Sequence, residues 1–95
     1  MSQFQKYITQ GKNLYAIWLD DKNMLKYSSS SDNGQTWLAY EEISTIEEIH
    51  TISFDVDELG NVFILIDSCQ KQNLYRKKAY ETNFSLAFLN HEMIA

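Results

Sequence analysis

Proline is absent from this chain, and glycine occurs only at Gly11, Gly34 and Gly60. Chain reversals must therefore rest mainly on clusters of Asn, Asp and Ser. One cysteine, Cys69, excludes an intrachain disulfide and with it a disulfide-stapled miniprotein. Basic residues are few, 8 against 13 acidic, for a net charge of −5. A phosphate backbone would be repelled by that balance, so nucleic acid is not an expected partner. Long apolar runs are missing too: the longest, LYAIWL and VFILI, are too short to span a bilayer, and no membrane partner is expected. The N-terminal MSQFQKYITQGKN lacks the apolar centre of a signal peptide. The expectation is a soluble, non-exported chain, cytoplasmic if it is full-length. At 95 residues it has no room for a separate catalytic domain.

The polar clusters that remain are evenly spaced. Between them lie Leu14–Asp20, Met24–Ser29, Thr51–Asp55, Val62–Ser68 and Asn73–Lys78, short segments rich in aromatic and β-branched residues, which is a strand pattern. LYAIWL and VFILI are apolar at alternating positions of both parities, so they are expected as central strands buried on both faces. The segment from Gly11 to Trp37 can be laid over that from Gly60 onward, matching Gly11 with Gly60 and Leu25 with Leu74; Asn13 and Asn61 then match one position out of step. A unit of four short strands repeating at roughly 48 residues lies in the range of β-propeller blades. The expected fold is all-β, with two four-stranded antiparallel blades at about residues 1–46 and 47–95.

The run YSSSSDNGQTW carries the most specific pattern. Asn33-Gly34 suits a hairpin with positive φ at its centre, and the Asp32 carboxylate can accept N–H groups that such a turn leaves unpaired. Ser30 can add a local bond, and Trp37 is expected to bury its ring beneath the hairpin. Ser30, Asp32, Gly34, Thr36 and Trp37 together resemble the Asp-box, S-x-D-x-G-x-T-W, of the bacterial neuraminidase repeat in sialidase-like propellers. The resemblance implies a structural element between the third and fourth strands of a blade, on the rim away from the binding face. In the second unit KKAYETNFS offers only a degenerate counterpart: Glu81 and Asn83 stand for Asp32 and Gly34, and Phe84 or Leu86 for Trp37.

YEEISTIEEIHTI fits two patterns. Tyr40, Ile43, Ile46 and His50 recur at spacings of three or four, and Ser44 precedes Glu47 as in a capping box, which is a helical pattern. The repeat instead requires an outer strand near Ala39–Ser44 followed by a connector, and that reading is preferred.

No catalytic constellation is visible. The sialidases that the Asp-box resembles hold a substrate carboxylate with three arginines and use a tyrosine nucleophile, whereas Arg76 is the only arginine here. Asp20-Asp21 and Glu41-Glu42 are sequence neighbours rather than opposed acid and base. His50, His91 and Cys69 lack metal-ligand spacing, and there is no phosphate loop or nucleophile elbow. DVDELGN reads as an acidic turn rather than a calcium loop. No metal or cofactor is expected. The expected function is a noncatalytic binding module, lectin-like in view of 13 aromatic residues; alternatives are a protein-interaction scaffold or a fragment of a larger sialidase-like glycosidase.

By the resemblance, a ligand face would lie opposite the Asp-boxes, in Asp20, Asp21, Lys22 and Asn23, in Gln70, Lys71 and Gln72, and in the connector with Glu47, Glu48 and His50. Two blades do not close a propeller, which needs about four to eight. Self-association head to tail is expected, with a trimer supplying six blades.

Overall fold

The structure, a computed structural model, describes residues 4–45, 49–68 and 71–90. They form eight strands and no helix: β1 (Gln5–Gln10), β2 (Asn13–Leu19), β3 (Met24–Ser30), β4 (Glu41–Thr45), β5 (Ile49–Val56), β6 (Val62–Ser68), β7 (Lys71–Lys77) and β8 (Ser85–Asn90). The chain divides into two compact units, Met1–Ile46 and Glu47–Ala95. Each unit holds one antiparallel four-stranded meander, β1-β2-β3-β4 in the first and β5-β6-β7-β8 in the second.

The segment with the helical spacing is a strand on both sides of residues 46–48. Glu41 and Glu42 pair with Tyr27 and Lys26, and Ser44 and Thr45 with Leu25 and Met24, across a bulge at Leu25/Lys26. An open edge on β3 offers these residues ladder bonds that a short isolated helix would have to make alone, and helix nucleation is costly.

Within each sheet the second strand is central, and the direction of its backbone bonds identifies its faces. In an antiparallel meander a residue turns its N–H and C=O to one neighbour, and residues sharing that direction share a face. The Leu19 N–H donates to Phe4 O of the β1 side and the Asp20 N–H to Met24 O of the β3 side. Odd-numbered residues of β2 therefore point toward the preceding strand. In the second sheet Asn61 O accepts from the Asp57 N–H, so the odd-numbered residues of β6 do the same. The odd face of one sheet is thus equivalent to the odd face of the other.

This places Asn13 opposite Asn61 in the repeat and corrects the alignment on glycines. Gln10 pairs with Asn13 around a two-residue turn, whereas Asp57 and Asn61 flank three residues, 58–60. The β2–β3 reversal is also longer than β6–β7: Ile17 faces Tyr27, and its counterpart Leu65 faces Leu74. Leu74 therefore corresponds to Tyr27 and not to Leu25. A one-residue difference in a turn moves every side chain to the other face, which the glycine match could not register.

The large buried side chains of the two sheets lie on opposite faces, although the small Ala16, Ser28 and Ser30 are also buried on the even face of the first. In the first, Tyr15, Ile17, Leu19, Leu25 and Tyr27 are buried, all on the odd face. That burial pushes the Tyr27 phenol up to about 12. In the second, Val62, Ile64 and Ile66 with Ile52 and Val56 are buried, all on the even face. Phe63 and Leu65 of the odd face are only half-buried, so VFILI is central but not equally covered on its two sides.

Candidate functional site

The even face of the first sheet is covered by the connection from β3 to β4, residues 31–40. Asn33 and Gly34 both have positive φ, 64° and 87°, as a tight Asn-Gly reversal requires. Around it runs a closed set of local bonds. The Ser30 hydroxyl donates to Asp32 Oδ1 at 2.8 Å and accepts the Gly34 N–H at 2.9 Å. Asp32 Oδ1 also accepts the Thr36 N–H at 2.9 Å, and Oδ2 accepts the Thr36 hydroxyl at 2.6 Å. The Thr36 hydroxyl and N–H, then the Ser30 hydroxyl, hold the Asp32 carboxyl down to about 2. The Asn33 N–H donates to Lys12 O, which ties the reversal to the β1–β2 turn.

Trp37 does not enter the core, contrary to expectation. Its ring is 43% exposed; its indole N–H donates to Gly34 O at 3.1 Å, so it caps the reversal from outside. Trp18 and Phe63, also expected as core, are half-buried. For Trp37 the reason lies on the even face of the first sheet, where Ala16 and Ser28 are small and cross-strand partners. The backbone of the connection fills the space above them: Ser28 Oγ donates to Leu38 O at 2.6 Å, and the Leu38 N–H to Ser29 O at 2.9 Å.

An open groove of about 350 Å³ results, lined by Tyr7, Ala16, Trp18, Ser28 and residues 37–40. Tyr40 meets Trp18 edge to face, with centroids 6.3 Å apart and planes at 72°. Lys26 Nζ lies 4.4 Å from the Tyr40 ring centroid and 3.1 Å from Asp20 Oδ2. The Asp20 contact raises the Lys26 ammonium above its ordinary range. Such a surface suits a flat apolar face or a cation. The spacing of Tyr7, Trp18 and Tyr40 in sequence gives no sign of this groove, because the register of β1 on β2 and the fold-back of 37–40 bring them together.

The second sheet carries a different groove on its odd face, of about 440 Å³, lined by Leu59, Asn61, Phe63, Arg76, Lys78, Ala79 and Tyr80. Its walls are the two turns. Asp57 Oδ1 accepts the N–H groups of Leu59 and Asn61, and Oδ2 the Asn61 amide, each at 2.9 Å. These bonds hold the Asp57 carboxyl below its ordinary range. DVDELGN is thus an Asp-closed turn, and among the described residues no group of three potential metal ligands occurs. Asn61 Oδ1 accepts the Ala79 N–H, joining this turn to the β7–β8 connection. In that connection Glu81 caps the Lys78 N–H at 2.8 Å, and the Thr82 hydroxyl reaches Asn83 Oδ1 at 3.2 Å. The second unit therefore replaces the Asp32 hub with a one-turn cap.

Of the expected ligand-face residues, Asp20 is committed to its own loop. Its Oδ1 accepts the N–H groups of Lys22 at 2.8 Å and Met24 at 3.0 Å, and these bonds hold the carboxyl below its usual value. Asn23 closes that loop with φ of 64°. Asp21 and Lys22 are exposed at its tip. Gln72 is a strand residue paired with Asp67, His50 lies in β5, and Lys71 opens β7. Glu47, Glu48, Gln70, Cys69 and His91 lie outside the described residues. The loop holding Asp20 and the reversal holding Asp32 are at opposite ends of β3.

No protein-family model, curated protein or solved structure matches this chain.

Proposed function

We propose that the chain is a noncatalytic pair of β-propeller blades that completes a ring by self-association and binds a ligand, a carbohydrate in the first instance, at the strand ends away from the Asp32 reversal. The observation that carries the reading is the position of Ser30–Trp37: it joins the third to the fourth strand of a four-stranded meander that occurs twice. A reversal closed by Asp32 at one end of the sheet leaves the Asp21–Lys22 tip as the polar, exposed element at the other. With Arg76 the only arginine, one chain has no clamp for a sugar carboxylate, which supports binding without hydrolysis. Three copies would give six blades.

The test is a glycan array probed with labelled protein, paired with a chromogenic sialoside assay. Saturable binding to a defined glycan class, weakened by Lys22→Ala and without turnover, is the expected result. Turnover of the sialoside would refute the noncatalytic reading. An array without hits, together with capture of one defined protein through the same tip, would move the function to a scaffold.

A further inference from the structure

We infer that Asn33 is a spontaneous modification site, a deamidation held in check by the bonds of Ser30 and Asp32, so that opening of the reversal is recorded as a permanent change in the chain. It concerns the first unit alone and is independent of ligand and assembly. An asparagine followed by glycine is open to attack by the next backbone nitrogen, because glycine sets no Cβ beside that nitrogen. Of the asparagines in this chain only Asn33 precedes a glycine; the others precede Leu, Met, Val, Phe or His. The reaction balances with water alone. The Gly34 nitrogen gives up its proton and bonds to Asn33 Cγ, while Nδ2 takes up a proton and leaves as ammonia. Water then opens the cyclic imide at either carbonyl, giving aspartate or isoaspartate. Either product adds a carboxylate beside Asp32 to a chain already at −5, and isoaspartate also lengthens the backbone within the tight turn.

The closed reversal opposes the first step. The Gly34 N–H donates to Ser30 Oγ at 2.9 Å, so the proton that must leave is engaged. Ser30 Oγ in turn donates to Asp32 Oδ1 at 2.8 Å, which makes it a better acceptor and sets a carboxylate close to a nitrogen that would have to become anionic. Bringing that nitrogen onto Asn33 Cγ also needs rotation of the peptide between the two residues, and its surroundings are fixed. The Asn33 N–H donates to Lys12 O at 2.9 Å, and Leu14 Cδ1 lies 3.0 Å from where a Cβ on Gly34 would stand. Attack therefore proceeds from open forms, and their population sets its rate. Asn33 is exposed, so water reaches the imide once it forms.

The experiment follows Asn33 by peptide mapping and mass spectrometry during incubation at neutral pH, in the whole chain, in Ser30→Ala and in the synthetic peptide YSSSSDNGQTW. Deamidation reads as the mass gain of an amide turned carboxyl, and isoaspartate as a second peak of the same mass. The other asparagines are internal controls and are expected to stay intact. The folded wild type is expected to react about tenfold or more slowly than the peptide, since closed forms are protected. Ser30→Ala, its fold verified by far-UV circular dichroism, should react about fivefold or more faster than wild type, the factor by which one lost hydrogen bond raises the open population. A urea series on the wild type is the second measurement and keeps the test decisive where Ser30→Ala does not fold: the rate should climb to that of the peptide as the chain unfolds. Equal rates in native wild type and peptide, a folded Ser30→Ala no faster than wild type, or a rate indifferent to urea would each overturn the inference.

Discussion

Gly34→Ala isolates what the reversal demands of its sequence, with Gly11→Ala as its natural control. Gly34 has φ of 87° and Gly11 of 63°, so alanine at either position enters the left-handed region. That conformation costs an L-residue about 1–2 kcal/mol. The surroundings separate the two sites. A Cβ at Gly11 meets nothing within 4 Å, whereas one at Gly34 lies 3.0 Å from Leu14 Cδ1 and 3.8 Å from a Trp37 ring carbon. The Leu14 methyl must give way by a few tenths of an ångström, and overpacking adds about 1–3 kcal/mol. Gly34→Ala should therefore cost roughly 2–5 kcal/mol against about 1–2 for Gly11→Ala. In a domain of this size, at about 4–8 °C per kcal/mol, that lowers the thermal midpoint by roughly 8–40 °C in the first case and about 4–16 °C in the second. Melts followed by far-UV circular dichroism read both. In a Leu14→Ala background the excess should shrink by about 1 kcal/mol, since the obstructing methyl is gone. Equal losses at the two glycines, or an excess indifferent to Leu14, would refute the account of Gly34 as a close-packed reversal on the even face.

Two further outcomes follow from the same connection. Trp37→Ala should destabilise by about 2–3 kcal/mol, less than a fully buried tryptophan, because only part of its area leaves water; Trp37→Phe, which loses the bond to Gly34 O, should cost about 1 kcal/mol, both read from urea midpoints. Asp32 has a depressed carboxyl in the fold, about 2 against 3.8 for the ordinary group, so its contribution is full above pH 4 and is lost as pH falls toward 2; the stability gap between wild type and Asp32→Asn should close across that window, and a constant gap would refute the hydrogen-bonded carboxylate.

The strands were legible because polar clusters punctuate short apolar runs, and Val62–Ser68 has the same ends in sequence and structure. Local chemistry was equally readable: Asn33-Gly34 dictates positive φ, and Ser, Asp and Thr at spacings of two and four can reach one another across a turn. The face assignments were not legible. They depend on turns that differ by one residue between the units, and glycine matching hides such a shift by aligning Gly11 with Gly60. The helical spacing of Tyr40, Ile43 and Ile46 is genuine, but periodicity counts residues on one segment and takes no account of the open β3 edge. Trp37 misled for a related reason. Its position beside the reversal follows from sequence, whereas its depth depends on what lies beneath, and the covering of Ala16 and Ser28 by a folded-back backbone is a long-range result.

That covering explains why equivalent faces of the two sheets look so different. Where the first sheet pairs Ala16 with Ser28, the second pairs Ile64 with Tyr75. The second sheet fills its even face with its own side chains, and Val62, Ile64 and Ile66 are buried. The first leaves a shallow, small-residue floor and lays residues 31–40 over it, with the bonds of Ser28 to Leu38 holding backbone where a side chain would otherwise be. Trp37, Leu38 and Tyr40 stay exposed on this covering segment, and Tyr40 meets Trp18 of the sheet edge to face at the rim of the groove. The Asp32 reversal makes this possible, since its own side-chain bonds satisfy a connection that gains few ladder bonds. Rigid closure of the loop and an aromatic outer surface are therefore one construction, and a change that loosens Asp32 should disorder the groove as well as lower stability.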